Sequence, residues 1–79
     1  MTAQRTITVY TRQGCHLCDE AIGVVRRVAG GRAEITLVDI DADPHLTQRY
    51  TVRVPVVAVD GVEIAEYHVA PDQLEAALA

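Results

Sequence analysis

Residues 7–18 read Ile7-Thr8-Val9-Tyr10-Thr11-Arg12-Gln13-Gly14-Cys15-His16-Leu17-Cys18. The first four residues are β-branched or aromatic and predict a strand, and the polar residues that follow, ending in Gly14, predict a turn. Apolar residues at positions 18, 22, 25 and 29 share one helical face, so a helix is expected over residues 17–29, ended by Gly30-Gly31. The two cysteines therefore lie where a strand turns into a helix.

The remaining chain continues this alternation. Residues 33–40 predict a second strand, which completes a strand–helix–strand unit whose two strands must be parallel. Asp43-Pro44 is a helix start signal for a short helix to about residue 50, and residues 54–59 predict a strand interrupted by Pro55. Asp60-Gly61 favours a two-residue hairpin turn to a strand over residues 62–65, and Pro71-Asp72 opens a last helix.

These elements predict a single α/β domain over residues 1–79. Their order is βαβ, then α, then an antiparallel ββ hairpin, then α. A mixed four-stranded sheet flanked by helices on both faces accommodates all of them.

Composition argues against several classes of partner. The net charge is −4 and every basic residue is an arginine, so the chain lacks the basic stripe expected of a nucleic-acid-binding protein and the polybasic patch of a membrane-surface protein. No apolar run approaches the ~20 residues that cross a bilayer, and no signal peptide is recognisable. The expected location is the cytoplasm.

Cys15 and Cys18 carry the chemistry. A disulfide across so short a loop would constrain little of the chain, so a purely structural bridge is a poor explanation. A Cys-x-x-Cys motif beside a βαβ unit is typical of redox proteins. At a helix N-terminus the thiolate of Cys15 is favoured, with pKa values of roughly 3.5–7.5 known for cysteines so placed. Cys18, one turn further, faces the core, so Cys15 is the expected attacking thiolate and Cys18 its shielded partner.

Two alternatives to this redox chemistry stay open. A tetrahedral zinc site needs four ligands, and beside the cysteines only His16, His45 and His68 are left, without paired spacing, so a metal- or cluster-binding site would require a dimer. The second alternative is a redox-inactive module that recruits a partner through the edge at Val54-Pro55. From the residues alone we predict no metal ligands in a single chain.

The sequence resembles the thioredoxin superfamily and, within it, the glutaredoxins. The matching residues are the string from Tyr10 to Cys18, the tripeptide Arg53-Val54-Pro55 and the Asp60-Gly61 hairpin. Residues 11–21 look especially like small bacterial glutaredoxin-like proteins that carry Thr-Arg-x-Gly-Cys-His-Leu-Cys-Asp-Glu-Ala.

The resemblance implies roles for the site residues. Cys15 would be the nucleophile and Cys18 the resolving thiol, and Pro55 would be a cis-proline facing them. The backbone of Val54 would bind an extended substrate as one more strand. Arg12 matches a basic residue that glutaredoxins direct toward a glutathione carboxylate, and Asp39, on a strand turned toward the core, would be a proton acceptor.

We further hypothesise that His16 and Arg53 favour the Cys15 thiolate, because a nearby cation stabilises the charged sulfur. The sequence departs from glutaredoxins where Ala65-Glu66, followed by Tyr67-His68, replace a glycine pair.

The expected function is thus a thiol–disulfide oxidoreductase acting as a monomer on disulfide-containing proteins or small-thiol disulfides. No bound cofactor is required. Glutathione, another low-molecular-weight thiol or a recycling reductase could supply the electrons.

Overall fold

The computed structural model describes residues 5–79 and shows a mixed four-stranded sheet with three α-helices. The strands are β1 (Arg5–Thr11), β2 (Ala33–Asp39), β3 (Val56–Val59) and β4 (Val62–Glu66); the helices are α1 (His16–Ala29), α2 (Pro44–Tyr50) and α3 (Pro71–Leu78). A 3-10 turn, Ile40–Ala42, precedes α2. The predicted order of elements is confirmed, while residues 1–4 of the expected domain lie outside the described part of the chain.

The strand order in the sheet is β2-β1-β3-β4. β1 and β2 are parallel, as the βαβ unit requires, and β1–β3 and β3–β4 are antiparallel. Tyr10 therefore pairs with Val56, which pairs with Glu66 on its other side, and Thr11 pairs with Asp39. The end of β1 that leads to Cys15 thus meets the beginning of β3 and the end of β4 at one edge of the sheet.

Helices cover both faces of the sheet, as predicted. Ile7 and Val9 of β1 are fully buried in a cluster with residues of α1 and α3. Tyr10, which alternates with them, packs on the opposite face in a cluster with Ile40 and Tyr50. The four residues of β3 are all buried, as a strand covered on both sides requires.

Local signals explain where elements start and stop. The Asp43 carboxylate accepts a hydrogen bond from the His45 N–H at 2.9 Å and so caps α2. Gly30 ends α1 in the left-handed region, with its N–H donating to the Arg26 carbonyl. Asp60 and Gly61 have φ of 51° and 85°, the positive values that a two-residue hairpin turn needs.

Some boundaries and one orientation differ from the prediction. The third strand starts at Val56, after Pro55, because proline cannot donate to the ladder, and the second strand ends at Asp39. The expectation that Asp39 faces the core is wrong, since its side chain is exposed. Its carboxylate instead accepts a hydrogen bond from the Asp41 N–H at 2.9 Å and starts the 3-10 turn.

Across residues 5–79, the described helices are too short or too polar to cross a membrane.

Candidate functional site

Cys15 is the N-cap residue of α1. Its backbone is extended, with φ of −90° and ψ of 106°, and its Sγ accepts a hydrogen bond from the Cys18 N–H at 3.2 Å. Gly14, with φ of 76°, makes the turn that brings the chain from β1 into this position. The sulfur of Cys15 therefore lies against the unpaired N–H groups of the first helical turn, where negative charge is stabilised.

The two cysteines form a disulfide and differ in exposure. Their Cα atoms are 5.2 Å apart. Cys18 is 0% exposed, because it belongs to the buried face of α1, whereas Cys15 is only partly buried. Cys15 is therefore the more accessible residue of the pair.

Val54 and Pro55 lie at the same end of the sheet as the cysteines. The peptide bond between them is cis, as the resemblance implies, and Pro55 is buried. The Pro55 carbonyl accepts a hydrogen bond from the Tyr67 N–H at 2.8 Å. Within residues 5–79, no hydrogen bond engages the backbone N–H or C=O of Val54. These two groups are thus available to a substrate backbone.

Arg53 is held by two carboxylates. Its Nε donates to Glu66 at 2.8 Å, its terminal amino group pairs with Glu63, and its guanidinium lies 5.3 Å from the Tyr50 ring centroid. The hydrogen bonds with Glu66 and Glu63 raise the pKa of Arg53. The hydrogen bond from Arg53 is in turn the main cause that lowers the pKa of Glu63. Because two carboxylates balance its charge, we expect Arg53 to have little influence on the Cys15 thiolate.

Tyr50 supports this cluster through direct contact with Glu63 and Arg53. Its ring stacks on Tyr10 at 4.4 Å between centroids, and its hydroxyl donates to Glu63 at 2.9 Å. Burial, followed by the contact with Glu63, raises the pKa of Tyr50 to about 12. The hydroxyl therefore stays protonated and fixes the Glu63 carboxylate that holds Arg53.

Arg12 is bound to Asp41 and Thr51. Its guanidinium forms two hydrogen bonds of 2.8 Å with Asp41 and a third of 3.0 Å with the Thr51 hydroxyl. The hydrogen bond with Arg12 is the main cause that holds the pKa of Asp41 below its usual value. Arg12 thus links the loop before Cys15 to the 3-10 turn and to the end of α2.

His16 is the first residue of α1 and its side chain is 88% exposed. Its Nε2 lies 3.6 Å from the Glu20 carboxylate, one turn along the helix. The structure therefore places His16 beside Cys15 in the chain but in solvent.

Tyr67 is a site residue that the sequence prediction did not assign. Its φ is 67°, and the His68 N–H donates to the Glu66 carbonyl at 2.8 Å, so Tyr67 is the central residue of a γ-turn. Its hydroxyl donates to the Val52 carbonyl at 2.6 Å. Together with its N–H bond to the Pro55 carbonyl, this contact holds both ends of the segment 52–55. The replacement of the glycine pair by Ala65-Glu66 was the available signal that this turn is unusual.

Among residues 5–79, no group of three or more His, Cys, Asp or Glu side chains is arranged to bind a metal ion.

Comparison with known proteins agrees with this architecture. Residues 6–79 match the family described as Glutaredoxin-like domain (DUF836). A solution structure of a protein from Nitrosomonas europaea is 34% identical, with a TM-score of 0.84, over 100% of this chain and 96% of that one. A search of curated proteins returns no match.

Two further solved structures have lower sequence identity to this chain. A domain of the alkylhydroperoxide reductase AhpF from Enterococcus faecalis is 25% identical with a TM-score of 0.77, over 98% of this chain and 39% of that one. A chloroplastic thioredoxin z, 16% identical, shares the fold with a TM-score of 0.74 over 95% of this chain and 75% of that one. The chain has a thioredoxin-like fold with a close cysteine pair of redox type, and it belongs to the glutaredoxin-like family.

Proposed function

We propose that the protein is a thiol–disulfide oxidoreductase that reduces disulfides through Cys15 and Cys18. The observation that carries this proposal is the asymmetry of the pair: Cys15 caps the N-terminus of α1 and is partly exposed, whereas Cys18 is fully buried one turn below it. A reactive thiolate needs access and a positive environment, and a resolving thiol needs only proximity.

The reduced protein begins with a thiolate on Cys15. This thiolate attacks one sulfur of the substrate disulfide, which forms a mixed disulfide on Cys15 and releases the other substrate sulfur as a thiolate that takes up a proton. Cys18 then loses its proton and attacks Cys15, which releases the second substrate thiol and leaves the Cys15–Cys18 disulfide. Two electrons and two protons have passed to the substrate.

The open backbone groups of Val54 support recognition of an extended substrate. An N–H and a C=O on one residue can pair with a substrate backbone as an added strand does. The substrates we propose are disulfide-containing proteins and small-thiol disulfides, without nucleic acid or membrane. We place the protein in the cytoplasm as a monomer.

The electrons that restore the dithiol come from outside the protein. Two equivalents of glutathione or another low-molecular-weight thiol, or a recycling reductase, would reduce the Cys15–Cys18 disulfide by the reverse exchange. No bound cofactor is needed for this step. The similarity to a domain of an alkylhydroperoxide reductase supports a reductase function in general terms.

The test is multiple-turnover reduction of a fluorescence-quenched peptide disulfide, with dithiothreitol as donor. We expect the wild type to accelerate it, Cys15→Ser to abolish the acceleration and Cys18→Ser to retain only a slow reaction. Thermal unfolding of each reduced variant controls for folding. Equal activity of Cys15→Ser and the wild type would refute the proposal.

A further inference from the structure

A groove runs along α1, and we call it the α1 groove. It has a volume of about 410 Å³, and Leu17, which lies between the two cysteines in the sequence, is one of its lining residues. One wall is formed by α1 and the other by the segment between β4 and α3. The lining residues include Asp19, Glu20, Gly23, Arg27, Tyr67 and His68. Because Leu17 is only two residues from Cys15 in the sequence, a polypeptide whose disulfide is at Cys15 can extend from there into this groove.

Gly23 forms part of the groove and has no role in the fold that requires glycine. It lies in the interior of α1 with a φ in the ordinary helical range, and a Cβ built on it would meet no atom within 4 Å. Glycine is unfavourable inside a helix compared with alanine. A glycine that neither packing nor backbone conformation demands is explained if another chain approaches the helix closely at this point.

The opposite wall is fixed in place by Tyr67. The left-handed conformation of this residue is unfavourable for a side chain larger than glycine. Its hydroxyl and its N–H nevertheless donate to the carbonyl groups of Val52 and Pro55, so Tyr67 joins the wall of the groove to the segment that contains Val54. Strained residues of this kind concentrate at functional sites.

The charges of the groove are separated along its length. Asp19 and Glu20 are exposed at the end near the cysteines, and Arg27 is exposed at the far end. Positions 19 and 27 are about 12 Å apart along a helix that rises ~1.5 Å per residue. An extended chain covers that distance in about four residues.

We propose that the α1 groove binds an extended segment of a protein substrate next to its reactive disulfide. The segment fits best with a basic residue beside the cysteine, facing Asp19 and Glu20, and an acidic residue about four positions further, facing Arg27. This inference rests on the proposed disulfide exchange and names the class of substrate for it.

The first test enlarges Gly23. Gly23→Ala should raise the melting temperature, because alanine favours the helix, and Gly23→Leu should lower kcat/KM for a peptide disulfide at least fivefold by filling the groove. The reduction of hydroxyethyl disulfide, which is too short to extend from Cys15 into the groove, should be unchanged. Unchanged peptide kcat/KM in Gly23→Leu, or an equal loss with both substrates, would overturn the inference.

The second test reverses charge at the far end, with Arg26→Glu as the matched control because Arg26 is exposed on the same helix and does not line the groove. The probes are peptide disulfides with Lys beside the cysteine and Glu four residues away, and charge-swapped versions, in both chain directions. We expect the wild type to favour the matched probe in one direction by about threefold, as exposed charge pairs allow. Arg27→Glu should abolish this preference and Arg26→Glu should keep it.

The outcomes separate the inference from the function on which it rests. If the wild type fails to reduce hydroxyethyl disulfide, the proposed function is wrong. If that reduction proceeds while matched and swapped probes react equally in both directions, only the α1 groove is refuted.

Discussion

The two sides of the cysteine end of the sheet are held by different forces. On one side, α1 is anchored by the apolar residues Ala21 and Val25, which are packed in one buried cluster with Leu74 of α3. On the other side, the backbone of residues 52–55 is held by the pairs of Arg53 with Glu63 and Glu66 and by the two hydrogen bonds of Tyr67. The helix that carries Cys15, the proposed nucleophile, is thus fixed by hydrophobic packing, and the backbone proposed to bind substrate is fixed by polar contacts.

This difference has a physical consequence. Burial of apolar groups depends little on pH, whereas exposed ion pairs weaken with salt and with protonation of their carboxylates. Conditions that leave Cys15 in place can therefore loosen the segment that contains Val54. Cys15 and the backbone of residues 52–55 should therefore respond separately to mutation and to pH.

The largest expected effect comes from breaking the apolar side. Leu74 is fully buried, so Leu74→Ala should lower the free energy of unfolding by about 2–5 kcal/mol, from lost burial and the cavity left behind. Urea denaturation of the oxidised protein measures it. Leu37, which is 43% exposed, provides the control, and Leu37→Ala should cost less than half as much. Equal losses would show that the α1 side has no well-packed core.

The polar side should be sensitive to pH. Because Arg53 lowers the pKa of Glu63 below its usual value of 4.5, this contact stabilises the folded protein above about that pH and ceases to do so as the pH falls through the lowered pKa. Arg53→Met should therefore lower the urea midpoint at pH 7, and the difference from the wild type should shrink at pH 3. A difference of the same size at both values would contradict the ion-pair account.

A smaller effect is expected at Arg12, whose guanidinium is bound to Asp41. If Arg12 positions the loop before Cys15, Arg12→Gln and Asp41→Asn should reduce the kcat/KM for a peptide disulfide by similar factors, and the double variant should be no worse than either. Steady-state kinetics with glutathione disulfide as a second substrate provides the contrast. A lower KM for this anionic substrate in Asp41→Asn would instead show that a freed Arg12 binds substrate carboxylate.

The smallest effect concerns His16, which is in solvent. An exposed cation contributes at most about 1 kcal/mol, so His16→Ala should raise the midpoint of Cys15 alkylation against pH by less than about 0.7 pH units. Glu20→Gln, which removes the carboxylate beside His16, should move the midpoint the other way. An identical midpoint in all three proteins would eliminate His16 as an influence on the thiolate.

Features that depend on neighbouring residues could be predicted from the sequence. The turn at Gly14, the helix over the cysteines, the Asp43 cap and the Asp60-Gly61 hairpin each follow from the conformational preferences of a few adjacent residues. The family resemblance added the cis bond before Pro55, which local propensities alone do not specify.

Features that depend on residues far apart in the chain could not be predicted from the sequence. The carboxylate partners of Arg12 and Arg53 lie 29, 10 and 13 positions away in the chain, so adjacent residues gave no signal for these pairs. Tyr67 was not assigned at all, because its role arises from contacts with Val52 and Pro55, which precede β3 and are more than ten positions away in the chain. Strand alternation places Asp39 on the same face of β2 as Ile35 and Leu37, but this end of the edge strand is exposed, as the 43% exposure of Leu37 also shows.

The central claim is that Cys15 attacks and Cys18 resolves, and intact-protein mass spectrometry tests it most directly. The reduced single variants Cys15→Ser and Cys18→Ser are each mixed with an excess of a cysteine-containing peptide disulfide at pH 7. We predict that Cys18→Ser gains the mass of one peptide within seconds, mapped to Cys15, while Cys15→Ser gains it far more slowly. Equal rates, or faster capture by Cys18, would contradict the account.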